Sequence, residues 1–164
     1  MKVLFVCTGN ICRSPTAERL FLHRAAELGL DGRVAADSAG VSDEEQGNPI
    51  DRRAVAEAAR RGVTLPDRRA RRITRADFQA FDLVLGMTTV HLSRMEAAAP
   101  ADATARTGLL LDYAPALGLR DVPDPWYGGR DAFVHAFDLI EAGVDGLLKA
   151  IATGALSTGR EGRA

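Results

Sequence analysis

Cys7, Arg13 and Ser14 fall within one short stretch, Cys7-Thr8-Gly9-Asn10-Ile11-Cys12-Arg13-Ser14, while Asp124 stands far along the chain between two prolines. These residue types suit one chemistry. A cysteine beside a helix N-terminus and a cation is favoured as the thiolate, its nucleophilic form. The planar fork of an arginine holds two phosphate oxygens and grips harder as charge develops during transfer. A serine hydroxyl donates to the sulfur. Together they suit attack on the phosphorus of an ester through a covalent phosphocysteine. The departing alcohol or phenol then needs a positioned acid, and the same group later deprotonates the attacking water. Asp124 is the candidate in Val122-Pro123-Asp124-Pro125-Trp126-Tyr127, where the prolines stiffen the loop and the aromatic pair offers a wall for a flat ring. Without those neighbours it would be a solvated turn aspartate. Asp112, Asp121 and Asp131 are weaker competitors.

The elements that must position these groups follow from the surrounding pattern. Val3-Leu4-Phe5-Val6 is the continuous apolar run of a strand covered on both faces of a parallel sheet, so Cys7 belongs at the strand's carboxyl end. Ligands of open α/β sheets bind at that edge, and Gly9 lets the backbone curl its N–H donors around an anion. Ser14 is a good N-cap and Pro15 a good first-turn residue, predicting a helix from about Pro15 to Leu28 with Ala17, Leu20, Phe21, Ala25 and Leu28 on one side. Singly, Cys7 reads as a small buried hydrophobe and Arg13 as a surface residue. Jointly they read as an anion site. A nucleotide-binding Gly-Lys-Ser/Thr loop does not fit, since Lys2 and Lys149 are the only lysines.

Further along, residues 33–40 predict a second strand, with Ser38 either a partner for Asn10 or a plain turn serine. Residues 43–49 form an acidic loop expected to be solvated, and a helix follows from Asp51 to about Arg61. The arginine-dense interval from Arg52 to Arg75 is expected to be a solvated face, with docking of acidic phosphopeptides the alternative. A capped short helix at Thr74–Phe78, a strand at Leu83–Met87, a helix from Val90 to about Ala98, a strand at Thr107–Leu111 and a long helix from Phe133 to Ile151 complete the pattern.

Strands alternating with helices predict an α/β fold: a single-domain three-layer sandwich with a four-stranded parallel sheet and helices on both faces. The expected domain is 1–152, with 153–164 a flexible tail. The 164 residues suffice for one such core, and a net charge of −1 argues against nucleic acid as a partner. The start lacks a signal-peptide pattern and no run is long enough to span a bilayer, so a cytoplasmic protein without a membrane partner is expected. Cys7 and Cys12 make no disulfide framework, and His23, His91 and His135 show no ligand spacing, so neither metal nor cofactor is expected.

Over nearly its whole length the chain resembles the low-molecular-weight protein-tyrosine phosphatases. The resemblance rests on Cys7 through Ser14 as the signature loop, Asp37-Ser38-Ala39-Gly40, Asp77-Phe78 with Phe81-Asp82, and Asp124-Pro125. It implies Cys7 as nucleophile, Arg13 as phosphate clamp and Asp124 as acid and then base. Thr8, Gly9, Asn10, Ile11, Cys12, Ser14 and Ser38, with Trp126 and Tyr127, are implied to bind substrate. Asn10, Ser14 and Ser38 form a supporting network in this reading, and Cys12 is a reversible disulfide partner for Cys7. Implied partners are phosphotyrosine-containing proteins, with inorganic phosphate or other oxyanions as product or inhibitor. The chain departs from the family pattern with Arg68 in place of a histidine, Thr88 in place of an aspartate, no tryptophan in residues 43–46, and Trp126 where a tyrosine is common. Two cysteines are too few for the thiol relay of an arsenate reductase. A related branch that acts on phosphoarginine, the alternative reading, tends to have threonine where Ile11 stands, and the bulkier Ile11 favours phosphotyrosine. A non-catalytic phosphopeptide-binding module, the other alternative, would need neither Cys7 nor Asp124.

Overall fold

In a computed structural model that describes residues 1–156, four strands and five helices alternate along the chain. They are β1 (Lys2–Cys7), α1 (Arg13–Glu27), β2 (Ala35–Gly40), α2 (Arg52–Arg60), α3 (Asp77–Ala80), β3 (Leu83–Gly86), α4 (Thr89–Ala98), β4 (Arg106–Leu109) and α5 (Arg130–Ala152). The sheet is wholly parallel in the order β2-β1-β3-β4. From β1 the chain first pairs to one side and then returns to the other, so the order reverses at β1 and the loop after Cys7 opens there, as expected for a ligand site.

The apolar run of β1 is divided between two cores by the strand's two-residue period. Val3, Phe5 and Cys7 face α1, α2 and α5, where Phe5 meets Phe21 edge-to-face at 5.5 Å. Leu4 and Val6 face the opposite side with Phe78 and Met95. Helices therefore cover both faces, which is why β1 reads as continuous rather than alternating. Among the described residues, no helix is long and apolar enough to cross a membrane.

Three boundaries depart from expectation. α1 begins at Arg13 rather than Pro15, with Cys12 at the N-cap and no side-chain cap. Proline is tolerated throughout a helix's first turn because those N–H groups have no intrahelical acceptor, so Pro15 does not mark the first residue. Ser14, freed from capping, turns toward Cys7. The fourth strand ends at Leu109, where residues 110–113 close into a 3-10 turn. Short helix α3 has no side-chain cap: Thr74 instead donates its N–H to Asp77. Thr153, Gly154 and Leu156 hydrogen-bond back to α5, and residues 157–164 of the expected flexible tail lie outside the described residues.

Candidate active site

The loop after β1 is held by its own side chains from beneath. Asn10 has a positive φ of 60°, a conformation asparagine adopts more readily than most residues. Its Nδ2 donates to Ser14 Oγ at 3.0 Å and Ser38 Oγ at 2.9 Å, and its Oδ1 accepts from the Arg71 N–H at 3.0 Å. Ser38 is thus a partner of Asn10. A Cβ at Gly40 would sit 2.6 Å from the Thr8 carbonyl oxygen, so the small residue ending β2 is required by the loop passing over it.

The direction of this network is set by a carboxylate. Glu18, one turn beyond Ser14 on α1, accepts the Ser38 hydroxyl at 2.7 Å and pairs with Arg68. Burial raises the Glu18 carboxyl above its ordinary range, against the opposing Ser38 hydrogen bond and the Arg68 charge. Ser38 donates to Glu18 and accepts from Asn10; Ser14 also accepts from Asn10. The Ser14 proton is left for Cys7 Sγ at 3.0 Å or the Ala39 carbonyl at 3.3 Å. Arg68 also reaches Asp37 at 3.0 Å and the Ser38 carbonyl at 3.2 Å.

The arginine-rich interval is a solvated face at Arg52, Arg53, Arg60, Arg69, Arg72 and Arg75, as expected, while Arg61, Arg68 and Arg71 are half-buried. Arg71 bridges Asp37 and Asp77, and Arg61 bridges Glu57 and Asp138, all at 2.8–2.9 Å. These guanidiniums pair carboxylates brought together by the fold. The acidic loop is mostly exposed, as expected, and its Glu44 and Glu45 also line the cavity at Cys7.

That cavity measures about 200 Å³. Cys7, Thr8, Gly9, Ile11, Cys12 and Arg13 from the loop after β1 line it, together with Glu44, Glu45, Asp124, Trp126 and Tyr127. Asn10, Ser14 and Ser38 lie beneath it, fully or nearly buried. Arg13 is 4% exposed and donates through Nη1 to the Val122 carbonyl at 2.9 Å. Its Nη2 lies 3.5 Å from Asp124 Oδ2, and Asp124 Oδ1 accepts the Trp126 N–H at 3.0 Å. The competing aspartates are engaged elsewhere: Asp121 accepts from Thr89, Asp112 from Leu109, and Asp131 lies in the first turn of α5. Both cysteines are free thiols. Burial, reinforced by Cys7 and Asp51, pushes the Cys12 thiol up. Among the described residues, no group of three His, Cys, Asp or Glu side chains could hold a metal ion.

His91, Glu18 and Arg53 were not singled out from sequence. For Glu18 a signal existed, the four-residue helical spacing from Ser14. For His91 there was none, since its partner Thr8 lies 83 residues away. The Thr88 N–H donates to His91 Nδ1 at 3.1 Å, which puts the ring proton on Nε2, and Nε2 donates to Thr8 Oγ1 at 2.9 Å. Burial, aided by the Arg13 charge, lowers the His91 imidazole from 6.5 to about 4. The unfolded chain binds this proton near pH 6.5 but the folded protein only near 4, so the stabilisation is complete above 6.5 and lost as pH falls toward 4. The His91 share of that loss is about 3 kcal/mol. His91→Gln is therefore expected to flatten the acid limb of stability in urea unfolding across this range, and a limb parallel to wild type would refute the assignment.

Comparison with known proteins agrees with this geometry. The family described as Low molecular weight phosphotyrosine protein phosphatase matches residues 2–155. A low molecular weight protein-tyrosine-phosphatase of Streptomyces coelicolor is 43% identical over 153 residues, covering 92% of this chain and 93% of that one. A protein tyrosine phosphatase from Entamoeba histolytica, solved with Hepes in its active site, superposes with a TM-score of 0.90 at 30% identity, covering 95% and 99% of the two chains. Vibrio vulnificus Wzb in complex with benzylphosphonate superposes with a TM-score of 0.77 at 32% identity, covering 90% and 97%. With the parallel sheet, the loop after β1 and matches spanning nearly the whole chain, this protein belongs to the low molecular weight phosphotyrosine protein phosphatase family, a family of hydrolases.

Proposed function

We propose that the protein hydrolyses phosphotyrosine in proteins through a phosphocysteine on Cys7, with residues 1–152 as the phosphatase domain. The observation that carries this reading is the juxtaposition in one cavity of Cys7 beside the Ser14 hydroxyl, Arg13, and Asp124 at 3.5 Å from that guanidinium. Cys12, its thiol held protonated by burial, is the poorer nucleophile of the pair and serves as the redox partner of Cys7.

Three of the ester's phosphoryl oxygens are held by the N–H groups of the loop and the N-terminus of α1 and by Arg13. The Cys7 thiolate attacks phosphorus as the bond to the tyrosine oxygen breaks, and the Asp124 carboxyl passes its proton to that oxygen. Water then attacks phosphorus, giving its proton to Asp124, and the P–S bond breaks to return the thiolate and release inorganic phosphate. Negative charge is met throughout by Arg13 and main-chain donors, which is electrostatic stabilisation already in place before reaction. Thr8, Gly9 and Ile11 line the floor around the phosphoryl group, and Trp126 and Tyr127 flank the aromatic ring. Phosphoproteins are the partners in this reading, and benzylphosphonate in Wzb is an aryl phosphate analogue of the same class.

Phosphotyrosine, phosphoserine and phosphoarginine peptides of one sequence, assayed side by side with and without chelator, test the proposal. Phosphotyrosine is expected to be favoured over phosphoserine by at least about 10²-fold in kcat/KM, with chelator without effect. Faster release from phosphoarginine would assign the alternative specificity, and binding without turnover would make the protein a phosphopeptide-binding module.

A further inference from the structure

Asp124 lies in the middle of a mostly exposed segment, in which only Val122 and Pro125 are buried among residues 121–129. A side chain there keeps its place through anchors on either side. Upstream, the Val122 N–H donates to the Met87 carbonyl at 2.8 Å, and the Val122 carbonyl accepts from Arg13 at 2.9 Å. Downstream, the Trp126 carbonyl accepts from Arg53 Nη1 at 3.0 Å. The Arg53 guanidinium also lies over the Trp126 ring at 5.2 Å and over the Phe133 ring of α5 at 4.7 Å.

Arg53 is itself fixed. Its Nε reaches Asp51 Oδ1 at 3.2 Å and its Nη2 reaches Asp51 Oδ2 at 2.9 Å, a bidentate pair. The N–H of Asp51 donates to the carbonyl of Ile11, in the loop after β1, at 2.8 Å. A continuous path therefore runs from that loop through Asp51 and Arg53 to the backbone two residues past Asp124. All three guanidinium nitrogens are used, and a lysine ammonium has no planar fork with which to bridge the same groups.

We infer that Arg53, held by Asp51, is a positioning residue for the reaction: it ties the loop carrying Asp124 to the loop carrying Cys7 and sets the reach of the carboxyl over the sulfur. The inference rests on Asp124 acting as the acid. Misplacing an acid by a fraction of an ångström weakens proton transfer while leaving the nucleophile and phosphate contacts intact. The loss must then grow with the basicity of the leaving group. A merely structural defect would slow all esters alike.

The test compares kcat/KM for nitrophenyl phosphate, whose leaving group needs little protonation, with that for phenyl phosphate, whose leaving group resembles tyrosine. Arg53→Lys and Arg53→Met are each expected to raise the ratio of the first to the second about tenfold, and to add little to that ratio in an Asp124→Asn background. An unchanged ratio, or an effect that multiplies in full with Asp124→Asn, would overturn the inference. A second readout needs no turnover. Trp126 is the only tryptophan in the sequence, so its fluorescence reports on this loop alone. Arg53→Lys is expected to increase acrylamide quenching of Trp126, with melting temperature followed as a control for folding, and unchanged quenching would also overturn the inference. If the wild-type protein turns over neither ester, the reading of Asp124 as acid has failed, and quenching still decides whether Arg53 holds the loop.

Discussion

Replacing Cys7 by serine is expected to reduce hydrolysis of aryl phosphates by at least about 10⁴-fold while phosphate binding and folding persist. Its physical basis is the shortage of any base for an alcohol at this position. The Cys7 side chain contacts the Ser14 hydroxyl, itself a donor here, and His91, which bonds Thr8 of the same loop, has Nδ1 and Nε2 committed to Thr88 and Thr8. A thiol is intrinsically a far stronger acid and a better nucleophile than an alcohol, so serine without a base beside it cannot take over the attack. Serine is also close to isosteric, so the buried floor and the loop beneath it are retained. Steady-state assay of wild type and Cys7→Ser measures the effect, and acid-quenched wild type should carry a phosphoryl group on the peptide containing Cys7. Residual activity of Cys7→Ser above about 1% would place the nucleophile elsewhere.

Asp124→Asn is expected to lower kcat by about 10²-fold or more with a poorly activated phenol as leaving group. Asparagine keeps the shape, and its carbonyl still accepts the Trp126 N–H now held at 3.0 Å. What is lost is the transferable proton and the negative charge 3.5 Å from Arg13. Freed from that carboxylate, the guanidinium has one competitor fewer for a phosphate dianion, so KM should stay level or fall as kcat falls. This opposite movement separates a lost acid from a damaged pocket, in which KM would rise. A comparison of kcat and KM across phenols of increasing basicity decides between them, and equal losses for every leaving group would remove Asp124 from the proton transfer.

The cavity-lining residues of the loop after β1 were legible because their signals are local. The apolar run of β1 carries no alternation, the bend at Gly9 follows at once, and the spacing from Cys7 to Ser14 is short enough that any curled loop returns one toward the other. Asp124 was legible for a similar reason, since its prolines and aromatics adjoin it. The helix start was misplaced because Ser14 and Pro15 are both good first-turn residues, and capping preference alone does not distinguish a serine that caps from one that reaches a sulfur. Which arginines of the rich interval leave the solvated face was not legible, for a different reason. A guanidinium's environment depends on what faces it, and Glu18 and Asp37 stand 50 and 31 residues before Arg68.

By itself the sequence determined the chemistry available: a sulfur at a strand end, a guanidinium and a glycine-containing loop beside it, and a carboxyl between two prolines. These depend on covalent neighbours and on backbone preferences that act over a few residues. Only the tertiary structure decided which carboxylate orients the network under Cys7, which imidazole holds Thr8, and that Arg53 ties the two loops together. Those contacts join positions 20 to 83 residues apart. They form because a parallel sheet with its order reversing at β1 gathers the ends of distant elements along one edge, where a hydrogen bond selects by distance in space and not by spacing in the chain.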